Sequence, residues 1–189
     1  ASVESSAASV DGDVSVCGLG AGDQGEPTGA LGVSTIQITD DLAVPDVAGV
    51  GPGITDDGGI TRCFAHSPTG ATVAAYNAIK WISSNQRLDE VTQELLADGS
   101  DKDRMAKEVE QTWDGSTTTP VSVWGYKTEI RSADEVVVTL AVTQTGVTTR
   151  PVAWPMVMVW EHGDWKVKPP STASWGQEQI EGTVYSAGY

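Results

Sequence analysis

The chain has 189 residues, enough for one well-buried core with an appended segment. It carries 26 Asp and Glu against 11 Lys and Arg, a net charge of -15 that repels phosphate backbones and argues against nucleic-acid partners. No apolar run approaches the roughly 18 residues that a membrane-spanning helix needs, so the chain reads as soluble, and its opening residues and cysteine usage mark it as an extracytoplasmic part of a protein.

Residues 1–10 look like the flexible start of a processed or truncated protein, with a removed signal peptide or an upstream membrane anchor as a fitting context. Residues 1–62 are broken by Gly18, Gly20, Gly22, Gly25, Gly29 and Gly32 and by Pro27, Pro45 and Pro52, which exclude long helices and central strands. The Gly18-Leu19-Gly20-Ala21-Gly22 cluster lacks the preceding strand, the following helix and the nearby Lys of a phosphate-cradling loop. The pairs Asp40-Asp41 and Asp56-Asp57 lack the spacing and the closing Glu of a calcium loop. Residues 33–38 alternate weakly and predict one edge strand. The rest of this segment is expected as ordered coil wrapped over a domain at residues 63–170, with residues 171–189 as a tail.

The two cysteines, Cys17 and Cys63, sit where a free thiol has no obvious core to join. A disulfide is expected over two separate buried thiols. Closing that loop stabilises by roughly 4 kcal/mol in the chain-entropy account and calls for an oxidising compartment. Two distant cysteines and two scattered histidines lack the paired spacing of a metal site, so no metal and no cofactor is expected.

Ser67-Pro68 predicts a helix start, with Ser as N-cap and Pro at the first helical position. Ala71, Ala75, Ala78 and Ile82 follow at helical spacing and give a narrow face that lets a sheet approach closely. Ser83-Ser84-Asn85 ends this helix. Leu88, Val91 and Leu95 mark a second one, stopped by Asp98-Gly99, and a capping box at 100–103 opens a third that carries Met105, Val109 and Trp113. The period then changes to two. Strands are predicted over 122–130, 135–143 and 148–160, followed by a hairpin at His162-Gly163 into 165–168, which Pro169-Pro170 halts. Trp175, Tyr185 and Tyr189 are docking points for the tail.

A helical block followed by an antiparallel meander that closes on Trp160-Glu161-His162-Gly163-Asp164-Trp165-Lys166-Val167 resembles the nuclear transport factor 2-like cone. That resemblance, over about residues 67–170, implies an α+β fold: three N-terminal helices packed on a curved antiparallel sheet of about four strands. Cys17-Gly18-Leu19, Asp23-Gln24, Ala43-Val44-Pro45, Gly51-Pro52, Cys63-Phe64-Ala65-His66-Ser67-Pro68-Thr69-Gly70-Ala71, Ala74-Ala75 and Asn77 resemble an actinobacterial cell-envelope domain family with no assigned activity. That family usually follows a single membrane anchor and often accompanies conjugative or mobile elements. The resemblance implies a membrane-tethered envelope protein whose partners are other envelope or secretion proteins, and a non-enzymatic scaffold.

Enzymes of the cone fold place an Asp, His or Tyr in an apolar cup where burial tunes its pKa. His66 sits before the helix cap, where hydrogen bonding to the stapled coil competes with a ligand or proton-transfer role. His162 belongs to a solvated turn. Tyr76 and Tyr126 read as core aromatics with hydroxyls at the rim. Asn77, inside an apolar helix, must be hydrogen-bonded if buried, and its amide is expected to tie the helix to coil or sheet, against a pocket role. Of the seven tryptophans, Trp124, Trp154, Trp160 and Trp165 fall on strands and are expected mostly to fill the core, against a ligand-stacking or interaction platform. No catalytic residue is assigned. A small-molecule-binding or catalytic cone and a surface-attachment module are the alternative functions.

Overall fold

A computed structural model describes residues 13–56, 58–147, 150–171 and 179–188. The predictions made for residues 1–10, Asp57, the first two residues of the 148–160 strand, Trp175 and Tyr189 fall outside these.

Two short strands come first, β1 (Ser34–Gln37) and β2 (Ala43–Asp46), paired antiparallel. Three helices follow: α1 (Pro68–Ser84), α2 (Leu88–Glu94) and α3 (Ser100–Thr112). Then come β3 (Ser122–Ser132), β4 (Glu135–Thr143), β5 (Val152–Glu161), β6 (Asp164–Val167) and β7 (Tyr185–Ser186). These five strands form one antiparallel sheet in the order β6-β5-β4-β3-β7.

The cone expectation does not hold. The helices follow a β-hairpin instead of opening the fold, the sheet has five strands instead of four, and the helices do not form a common layer on it. Among the described residues α1 alone of the three helices lies across the sheet, touching β3, β4, β5 and β6, while α3 packs on α2. The cause is composition. α1 is apolar on nearly all sides and buries Ala71, Ala75, Tyr76, Ala78, Ile79 and Trp81. By contrast, α3 offers Met105 and Val109 among charged residues, and no residue of it is buried. Residues 42–60 are also more than a wrapping, since Leu42, Val44 and Ile60 join the same core.

Local signals explain the helix ends. Ser67 Oγ accepts the Gly70 N–H at 3.0 Å and Pro68 occupies the first turn, as the sequence predicts. Asn85 closes α1 in the left-handed region at φ 54. The third helix departs from expectation. Its N-cap is Gly99 with no side-chain cap, and Ser100 is already helical, so the capping box does not form.

Where the structure flips the strand reading, a bulge is responsible. Between Val123 and Gly125 the β3–β4 register shifts, so Val123 and Tyr126 both face the core although they are three residues apart. Trp124 is turned outward and is 63% exposed. At Gly125 an added Cβ would meet the Tyr185 carbonyl at 2.5 Å; only glycine lets the tail close in as β7.

Candidate functional site

The segment Cys63–Ala71 is the junction of the molecule, and each of its residue types has a physical reason. Cys63 bonds Cys17, with the two Cα atoms 6.3 Å apart. An added Cβ on Gly53 would lie 2.3 Å from the Cys17 sulfur, so glycine makes room for the bridge. The Cys63 and Phe64 N–H groups donate to the two Asp164 oxygens, each at 2.9 Å, and Trp165 N donates to the same carboxylate at 2.7 Å. Burial pushes the Asp164 carboxyl up, while the Lys166 ammonium and these three backbone donors pull it down. Trp165 Nε1 and the Ser67 N–H donate to the Ala65 carbonyl at 2.9 and 2.8 Å. This fixed carbonyl would lie 1.8 Å from a Cβ on Gly70. The disulfide coil, the start of α1 and the β5–β6 hairpin thus meet on one buried carboxylate and one carbonyl.

His66 stands beside this knot. Its ring stacks on Trp160 with centroids 4.0 Å apart and meets the edge of Trp165 at 5.7 Å. Nε2 lies 2.8 Å from Asp134 Oδ1 and 3.0 Å from the Ala133 carbonyl, and Nδ1 lies 3.5 Å from Asp13 Oδ1. The His66 carbonyl accepts the Gln24 amide at 2.8 Å. The residue therefore links the N-terminal coil, the β3–β4 turn and β5. Its ring is shielded by the Trp160 and Trp165 indoles.

Asn77 is fully buried and holds α1 to the coil through Thr61. Its Oδ1 accepts from Thr61 Oγ1 at 2.6 Å and its Nδ2 donates to the Thr61 carbonyl at 2.8 Å. The Trp81 indole N–H donates to the same hydroxyl at 2.8 Å. Tyr126 donates its hydroxyl to the Gly29 carbonyl at 2.8 Å, pinning the coil over β3; burial raises that phenol. Tyr76 is buried in the core. Trp154 and Trp160 are half-buried and Trp165 is buried. Trp124 is exposed, with its N–H on Thr143 Oγ1 at 2.8 Å. The candidate residues thus serve as separate anchors, and the structure does not gather them around one pocket. Asp164, the residue that organises the junction, has no special signal in the sequence: an Asp after Gly in a hairpin is ordinary turn chemistry.

An open groove lies elsewhere, between α2 and α3. This groove encloses about 1220 Å³. Ala106, Val109 and Trp113 form its apolar lining; Asp89, Glu90, Glu94, Asp103 and Glu110 supply five carboxylates against the single ammonium of Lys107. Glu90 pairs with Arg87 and Glu94 with Arg62. Beneath α3 a smaller apolar cavity of about 170 Å³ is lined by Ile82, Leu88, Val91, Leu96, Met105 and Val109.

The family model described as Domain of unknown function (DUF8175) matches residues 1–186. The chain belongs to that family. No curated protein matches it, and no solved structure does. In this DUF8175 chain the Cys17–Cys63 disulfide is formed, which fits an oxidising, extracytoplasmic setting. No helix among the described residues is long and apolar enough to cross a membrane.

Proposed function

We propose that the chain is an extracytoplasmic interaction domain, displayed on the outer face of the envelope by a membrane-anchored protein, that receives a cationic segment of a partner protein between α2 and α3. One observation carries this reading: α3 is amphipathic, buries no residue, and borders a groove in which carboxylates flank an apolar lining. Such a surface complements an amphipathic segment with Lys or Arg on its rim and an aliphatic anchor at its centre. The envelope setting rests on the disulfide and on the motif resemblance, and an assembly role in conjugative transfer or a related secretion system is part of the same proposal.

The test uses a lysine-rich amphipathic peptide as probe and compares two variants of equal charge. In the first, Asp89→Asn, Asp103→Asn and Glu110→Gln neutralise the groove. In the second, Asp40→Asn, Asp41→Asn and Asp56→Asn neutralise three exposed acids elsewhere. Affinity should fall at least about tenfold in the first and stay near wild type in the second. Equal losses in both would reduce the binding to bulk charge and overturn the assignment of the groove.

A further inference from the structure

The structure assigns a divalent transition-metal site, best suited to zinc, to Asp98, Glu161 and His162, at the corner where the α2–α3 loop meets the β5–β6 hairpin. One imidazole nitrogen and one oxygen from each carboxylate lie within 4.8 Å of one another. Two acids alone would make a solvated patch. The imidazole changes the chemistry, because a nitrogen with two carboxylate oxygens is the mixed donor set that suits zinc and leaves a fourth position for water or a partner's ligand. Calcium, which takes six or more oxygens, gains nothing from it.

The ligands come from two parts of the chain that are held in place independently of the ion. Ala97 N donates to the Val167 carbonyl at 2.8 Å and Val167 N to the Leu95 carbonyl at 2.9 Å, so the residues before Asp98 run as a short parallel bridge along β6. Glu161 ends β5 and His162 begins the turn that pairs β5 with β6. Within the cluster, His162 Nε2 lies 2.7 Å from Asp98 Oδ2, and the Asp98 N–H donates to Glu161 Oε1 at 2.6 Å. A tetrahedral zinc separates its ligand atoms by about 3.3 Å, so the His162–Asp98 pair must open by about 0.6 Å, which both exposed side chains can do. The competitor is Lys102, whose Nζ sits 3.0 Å from Asp98 Oδ1 and 2.9 Å from the Gln93 carbonyl.

Lys102 makes the proposal sharply testable. Chelator-treated full chain is titrated with zinc chloride near neutral pH by calorimetry, in wild type, His162→Asn, Asp98→Asn and Lys102→Met. The His162 backbone has φ 53, which Asn tolerates, so that variant keeps the turn. Wild type should bind one zinc and melt at a higher temperature with it. His162→Asn and Asp98→Asn should each weaken binding at least about tenfold, and Lys102→Met should tighten it. Absence of saturable binding, unchanged affinity in His162→Asn, or calcium displacing zinc at equal concentration would each overturn the site.

Discussion

Replacing Asn77 tests how the N-terminal coil is held to the helix that backs the sheet. Asn77→Ala removes the acceptor of the Thr61 hydroxyl and the donor to the Thr61 carbonyl, both buried. An orphaned buried polar group costs about 1–3 kcal/mol, so the variant should lose about 3 kcal/mol. Thr61→Val orphans a different pair, the Asn77 carbonyl oxygen and the Trp81 indole N–H, and should lose a similar amount. The double variant leaves only the residue-61 carbonyl and the Trp81 N–H unpaired. Its loss should therefore fall well short of the sum, with a coupling of about 2 kcal/mol between the two sites. Urea denaturation followed by far-UV circular dichroism measures all four corners of the cycle. Additive losses, or a loss below about 0.5 kcal/mol in Asn77→Ala, would refute the view that this amide ties coil to helix.

Reduction of the disulfide, seen as a two-dalton mass gain, should cost about 4 kcal/mol of stability, because the 46-residue separation it closes becomes free to expand when unfolded; a loss near zero in urea denaturation would place the constraint elsewhere. Gly70→Ala should cost more than about 3 kcal/mol or prevent folding, since its Cβ meets a carbonyl held by two donors. Gly20→Ala has open space and ordinary backbone and should stay within about 0.5 kcal/mol of wild type; equal effects from the two would contradict the steric account. Burial raises the Asp164 carboxyl in the fold, so the folded chain binds this proton more tightly than the unfolded one. The stability that results is complete below the ordinary carboxylate range, near pH 4, and is lost as pH rises through the raised value. The stability of wild type minus that of Asp164→Asn should accordingly fall as pH rises through that window; a value that rises with pH would mean that Lys166 and the three backbone donors outweigh desolvation.

The motif at 63–71 shows how far a sequence reads by itself. Ser67 and Pro68 state the start of α1, its run of alanines states a buried helix, and period two states most of β3 to β6, because each of these signals acts within a few residues of chain. The cysteine pair was legible for a related reason: both cysteines sit in Gly-, Pro-, Asp- and Ser-rich sequence that shows no apolar periodicity. The demand that Asn77 be satisfied was legible too, but its partner was not. Thr61 lies on the coil, and only folding brings the two together.

What tertiary structure decided is everything that depends on two distant segments arriving at one place. A one-residue bulge in β3 turned Trp124 out to solvent, and alternation along the strand carries no sign of it. Gly125 admitted the tail as a fifth strand, and β1 paired with a strand containing Pro45. The third helix left the sheet because its apolar stripe finds α2 first. Asp164, His162 and the groove acids read as ordinary turn and surface residues in the chain. Asp164 meets its donors only where the β5–β6 hairpin reaches the disulfide coil, His162 meets Asp98 only where that hairpin reaches the α2–α3 loop, and the groove acids face one another only once α3 packs on α2, since burial and charge proximity are properties of position in space.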